Sequence, residues 1–236
     1  MNPYQKLQNR KRTWTPVQTT AGKLNEGSEE TIYRALAMRH MELPVGSFIQ
    51  DALSEIPALS ADLLKSNVKD EENHDLALGY IANALGVDET AEAEAKRLRD
   101  AWEAHPDHTV LKALVAERAI FFVLLPFFRF NGDAGLRTVS ADISRDEQVH
   151  VAANSLVCRE LGLSISPSLD KLRKATINWV MTPLKSSTNK YLDKKFWLDA
   201  SDRLMYEGKA PELSDTKRAR MPAFFEHANP NLPQYA

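Results

Sequence analysis

Cysteine is almost absent. Cys158 stands alone among 236 residues, so no disulfide can close within the chain, and a four-thiolate iron site of the rubredoxin type cannot be built from it. The lone thiol reads as a small buried apolar side chain, and the compartment as reducing and cytoplasmic. Long apolar runs are also missing. The most apolar stretch, residues 119–128, is about ten residues, too short to span a bilayer, so no membrane association is expected. No targeting segment is visible: Lys6, Arg10, Lys11 and Arg12 are followed by no apolar region. Charge of one sign is not in excess. A net charge of −2 gives no reason to expect nucleic acid. No glycine-rich phosphate loop is present, so this chain has no recognisable nucleotide site. Sustained alternation and Asn-Gly hairpin turns are absent, which argues against sheets.

What remains is a chain punctuated as helices. The sequence divides into a basic N-terminal arm, residues 1–27, expected to be solvated and mobile, a helical domain, 28–207, and an extended tail, 208–236, rich in Pro and Asn. Ser28 can cap a helix over about 28–43, with Glu29 and Glu30 in its first turn, and Pro44 should kink or end it. Further helices are expected over about 58–85, stopping at Gly86, and about 88–104, with one solvent-exposed side. Another, about 107–130, contains Pro126, a kink site. Three more cover about 138–161, 168–181 and 189–207.

Two Glu-x-x-His steps carry the chemistry: Glu71-Glu72-Asn73-His74 and Glu147-Gln148-Val149-His150. On a helix, residues three apart share a face at roughly 5–6 Å between Cβ atoms, so carboxylate and imidazole can close on one metal ion. Glu117 adds a carboxylate to an apolar stripe shared with Leu114 and Phe121. Glu42 is placed by spacing, with Glu30 as its substitute. A Glu from each of two helices plus Glu-x-x-His from two others is the ligand set of ferritin-like di-iron and di-manganese carboxylate proteins. Glu42 to Glu71 and Glu117 to Glu147 are each about 30 residues, enough for two antiparallel helices with ligands at mid-height. His74 to Glu117 is longer and leaves room for the 88–104 helix in a crossover. The expectation is an all-α, ferritin-like helical bundle with a crossover connection and additional C-terminal helices. Each site residue also has a plainer reading. Glu71 and His74 have polar neighbours, among them Lys69 and Asp70, and could be solvated; Glu117 could pair with Arg or Lys. His105 and His108, around Pro106, read as a surface helix start.

At Asp142-Ile143-Ser144-Arg145-Asp146-Glu147-Gln148-Val149-His150-Val151 the chain resembles the small, radical-generating subunit of class I ribonucleotide reductase. Ile-x-Arg-Asp-Glu-x-x-His is close to a signature of that family. Glu117-Arg118-Ala119-Ile120-Phe121 resembles its third ligand helix, and Ser54-Glu55-Ile56-Pro57 its approach to the second. The resemblance covers about residues 10–165. It implies that Glu42, Glu71, His74, Glu117, Glu147 and His150 hold two metal ions, iron and/or manganese. It implies that Asp146 links a ligand histidine to Trp14, and that Tyr235 passes the oxidising equivalent to a separate large catalytic subunit. A homodimer is implied too.

The chain departs from that pattern in three ways. The familiar tyrosine, four residues after the first ligand histidine, is here Leu78; Tyr80 points about 200° away on the helix. The chain is short, as in some phage-type members, and Glu42 stands where many relatives have aspartate. Three rival readings remain: a stand-alone di-metal oxygenase or oxidase, which would turn over without a partner; iron handling, which needs a cage or an added electron-transfer site; and a helical scaffold in which the Glu-x-x-His steps are accidental.

Overall fold

The computed structural model describes residues 2–213, and all regular structure among them is helical apart from one isolated bridge, Lys185 to Asp193. Residues 214–236, most of the expected tail, lie outside the described residues, and the expected role of Tyr235 falls there.

Four helical rods enclose the interior. They are α3 (Glu42–Ala52), α4 (Ala61–Leu85), the rod formed by α6 (Thr109–Ala116) and α7 (Phe122–Asn131), and α8 (Ala134–Glu160). α3 packs on α4 and α6, α4 on α8, and α6 and α7 on α8, which closes the ring. The intervening α5 (Glu89–Glu103) lies in the connection between α4 and α6 and packs against α2 (Glu29–Ala37) and α9 (Pro167–Met181). α10 (Lys194–Glu207) closes over the α6–α7 rod and α9. Large aromatics cement these outer helices. Trp102 is fully buried and donates to Thr176 Oγ1 at 3.0 Å, and buried Trp197 meets the edge of Phe127.

Several boundaries differ from the sequence expectation, each for a local reason. The first helix breaks at a 3-10 turn, Met38–Met41, before Pro44 is reached. Pro44 then sits in the first turn of α3, where its missing N–H costs nothing. Ser28 precedes α2, but its hydroxyl donates to Asn25 O instead of capping. Pro126 lies within regular α7; the irregularity in this rod is upstream, a π-helical turn at Glu117–Phe121 in which Phe122 N–H bonds to Glu117 O. α8 begins four residues early, because Asp133 Oδ1 accepts from Leu136 N at 2.8 Å and caps it. α10 begins late, at Lys194, capped by Asp193 after a 3-10 turn at Lys190–Leu192.

The arm is held against the bundle rather than solvated. Its first helix, α1 (Pro3–Gln8), is capped by Asn2 and packs on α4 and α8 with Tyr4 and Leu7 buried. Farther along, Gly22 N donates to Asp133 Oδ2 at 2.7 Å and Asn25 pairs with Asn131. Gly208 ends α10 in the left-handed region, and Leu213 is buried. No helix among the described residues is long and apolar enough to cross a membrane.

Asp133 joins the start of α8 to the arm. Asp133→Ala is expected to cost about 0.5–2 kcal/mol for the lost cap and to speed amide exchange around Gly22. Urea unfolding and hydrogen exchange would check both; unchanged stability would remove Asp133 from this role.

Candidate metal centre

The six ligand candidates come from four elements of the ring. Glu42 opens α3, Glu71 and His74 share one face of α4, and Glu147 and His150 share one face of α8. Glu117 begins the π turn between α6 and α7. An extra residue in the helical ladder rotates the side chains on either side of it, and such turns occur often at functional sites. All six residues are at most 1% exposed. α3 lies directly on α4 here: a Cβ at Gly46 would sit in ordinary contact, 3.5 Å from Glu71 Cβ.

The six converge. His74 Nδ1 lies 3.1 Å from Glu71 Oε2, 3.4 Å from Glu147 Oε1 and 3.6 Å from Glu42 Oε2. His150 Nδ1 lies 3.0 Å from Glu71 Oε1, 3.7 Å from Glu147 Oε1 and 3.9 Å from Glu117 Oε1. Glu71 and Glu147 therefore stand between the two histidines, while Glu42 attends only His74 and Glu117 only His150. Glu30, the substitute for Glu42, is an exposed partner of Arg34.

Hydrogen bonding leaves this interior unfinished. Glu42 Oε2, Glu71 Oε1, Glu117 Oε1, both oxygens of Glu147 and His150 Nδ1 are buried without a hydrogen bond. Orphaned buried carboxylate oxygens are costly, and here they fall into two overlapping groups. Glu42, Glu71, His74 and Glu147 form one, and Glu71, Glu117 and His150 the other, each with ligand atoms within 4.8 Å of one another. These buried groups can hold a metal ion, and carboxylate with imidazole suits a hard or borderline divalent one.

Protons take up part of the charge. Burial pushes Glu42, Glu117 and Glu147 above the usual carboxylate range. Burial would raise Glu71 too, but His150 and His74 beside it hold it well below. Burial would lower the two histidines. The carboxylates outweigh it, chiefly Asp146 and Glu147 around His74 and Glu71 and Asp70 around His150, so both are raised well above the ordinary value. A metal ion entering the cluster must displace protons held on these groups.

The outer nitrogens of the histidines are held by carboxylates from the opposite helix. His74 Nε2, on α4, lies 3.3 Å from Asp146 Oδ2 on α8, and Trp14 Nε1 donates to the same oxygen at 2.7 Å. This is the arrangement that Asp146 and Trp14 were expected to make. The reciprocal contact was not expected: His150 Nε2, on α8, lies 2.9 Å from Asp70 Oδ2 on α4. Asp70 looked like part of a solvated stretch. Its signal was the repetition of Asp-Glu-x-x-His at 70–74 and 146–150. Asn154, also missed, donates to Glu117 Oε2 at 2.8 Å; it lies one helical turn beyond His150 on the same face.

The remaining candidates resolve simply. Leu78 is buried and offers no oxidisable ring, and Tyr80 is half-buried. His108 caps α6 through Nδ1, and His105 Nδ1 accepts from Asp107 N, so this pair serves its turn. Burial pushes the Cys158 thiol up to about 12, which keeps it protonated and inert. Comparison with protein-family models, curated proteins and solved structures finds no match to this chain.

The geometry separates shared from terminal ligands. Glu117→Ala should leave one bound manganese(II) ion per chain where the parent is expected to hold two, whereas Glu71→Ala should weaken both. Uptake by the parent should tighten as pH rises, because bound protons must leave. Equilibrium dialysis with metal analysis would check this; full occupancy in both variants would place the site elsewhere.

Proposed function

We propose that this chain is the small, radical-generating subunit of a class I-type ribonucleotide reductase, built as a ferritin-like bundle. The observation that carries the reading is the chain of contacts Trp14–Asp146–His74, at 2.7 and 3.3 Å, in the segment whose sequence resembles that family. Two iron and/or manganese ions bound by the six ligands would supply a stored one-electron oxidant.

The chain's own residues then do three things. Glu42, Glu71, Glu117 and Glu147 neutralise the ions in a dry interior. Asp146 accepts from both Trp14 and His74, so it fixes the imidazole with Nδ1 toward the cluster and couples an aromatic ring near the surface to a ligand. Trp14 is half-buried and its ring stacks 6.3 Å from that of His74, which makes it the natural entry for an electron. Closure of the site around its ligands excludes water and suits a unit that hands on an oxidising equivalent. Leu78 is buried at the position where the resembled family carries a tyrosine, so the oxidant resides on the metals or on another side chain.

In this reading nucleotide binding belongs to a separate large subunit. Tyr235 in the tail carries the oxidant toward it, and the chain functions as a homodimer in the cytoplasm. Trp14→Phe keeps the ring but loses the N–H donor to Asp146. It should load metal normally while partner-dependent ribonucleotide reduction falls by about 10–100-fold. Undiminished reduction would contradict the relay, and robust oxidation of an aldehyde or amine by this chain alone would favour a stand-alone oxygenase instead.

A further inference from the structure

We infer that Lys11 and Asp70 are positioning residues for His150, forming a second relay that holds the metal position on the Glu117 side. Lys11 Nζ has three N–H donors, and three acceptors on α4 meet it. Ser66 Oγ is at 2.8 Å, Asn67 Oδ1 at 3.0 Å and Asp70 Oδ2 at 2.5 Å. That same Asp70 oxygen lies 2.9 Å from His150 Nε2. The ammonium thus fixes the carboxylate, and the carboxylate fixes the imidazole, leaving His150 Nδ1 facing Glu71 at 3.0 Å without a hydrogen bond.

Each link has a physical function. An imidazole that donates through Nε2 must present the Nδ1 lone pair inward, and a carboxylate on the donating side makes that lone pair more basic. Asp70, however, sits at the rim, its side chain 13% exposed. Without a cation it can turn toward water and release the ring. Lys11, itself only 11% exposed at the side chain, prevents that turn. The corresponding carboxylate on the other side, Asp146, is more deeply buried, and its outer partner is the neutral indole of Trp14.

The two relays end on one short stretch of the arm, at residues 11 and 14. One ends on a cation, which can hold charge but cannot be oxidised. The other ends on an aromatic ring, which can. The arm therefore treats the two metal positions differently. This inference rests on the two-metal reading of the cluster and is independent of the reductase assignment.

Manganese(II) alone, titrated into the full chain with free ion counted by electron paramagnetic resonance, tests it. The parent should bind two ions. In Asp70→Asn and in Lys11→Met one of the two should weaken by about 10–100-fold while the other is unchanged. Lys11→Arg should restore the weakened site, and Trp14→Phe should leave it alone. Circular dichroism would confirm that each variant is folded; Asp70→Asn, nearly isosteric, decides the matter if Lys11→Met is not. Parent-like binding in the variants, or equal loss at both positions, would overturn the relay. A parent chain that binds no manganese would overturn the metal centre itself.

Discussion

Four carboxylates buried between two histidines are the constraint on which the rest of this structure depends. Taking an ionised carboxylate out of water costs several kcal/mol even after relaxation, and Glu42, Glu71, Glu117 and Glu147 are buried together in one space. Protons on the histidines and on the raised carboxylates offset part of that charge. They leave oxygens on all four residues without hydrogen bonds. Two divalent ions would satisfy both the charge and the open lone pairs at once. The fold can afford such a core only because the surrounding helices are densely apolar, from Ile32 and Leu36 to Phe127 and Phe128.

The helices also organise the cluster with a rough two-fold logic. Asp-Glu-x-x-His occurs once on α4 and once on α8. On each helix the Glu reaches inward to both histidines, the His faces the cluster, and the preceding Asp crosses to the other helix's His. Neither helix can orient its own histidine; each needs its neighbour, so packing of α4 on α8 and correct ligand geometry are one event. The arm breaks the symmetry. It brings Trp14 to one carboxylate and Lys11 to the other. The π turn at Glu117 breaks it again, on the side where Asn154 holds the terminal carboxylate.

Much of this was legible in the sequence, because helix periodicity and ligand spacing are local properties. The Glu-x-x-His steps, the lone carboxylate in an apolar stripe and the 30-residue intervals pointed to the six side chains that the fold brings together. The rest depended on contacts that spacing does not encode. Asp70 sits among Lys69, Glu72 and Asn73 and reads as solvent-facing, until α8 supplies His150. Lys11 and Arg12 read as a solvated basic arm, since nothing local says that Lys11 will find three acceptors on α4. Pro126 drew attention as a break, whereas the irregularity is the π turn that starts at Glu117, where no proline or glycine marks it. α8 starts earlier than the expected 138, because Asp133 caps it through Leu136 N.

The most direct test of the account is a crystal of the chain loaded with manganese(II), with anomalous scattering used to place the ions. The structure predicts two anomalous peaks inside the ring of α3, α4, α6–α7 and α8. One should be held by Glu42 and His74, the other by Glu117 and His150, with Glu71 and Glu147 reaching both. A single peak, peaks outside the ring, or an interior with no metal would contradict the claim that this core is built to neutralise two ions.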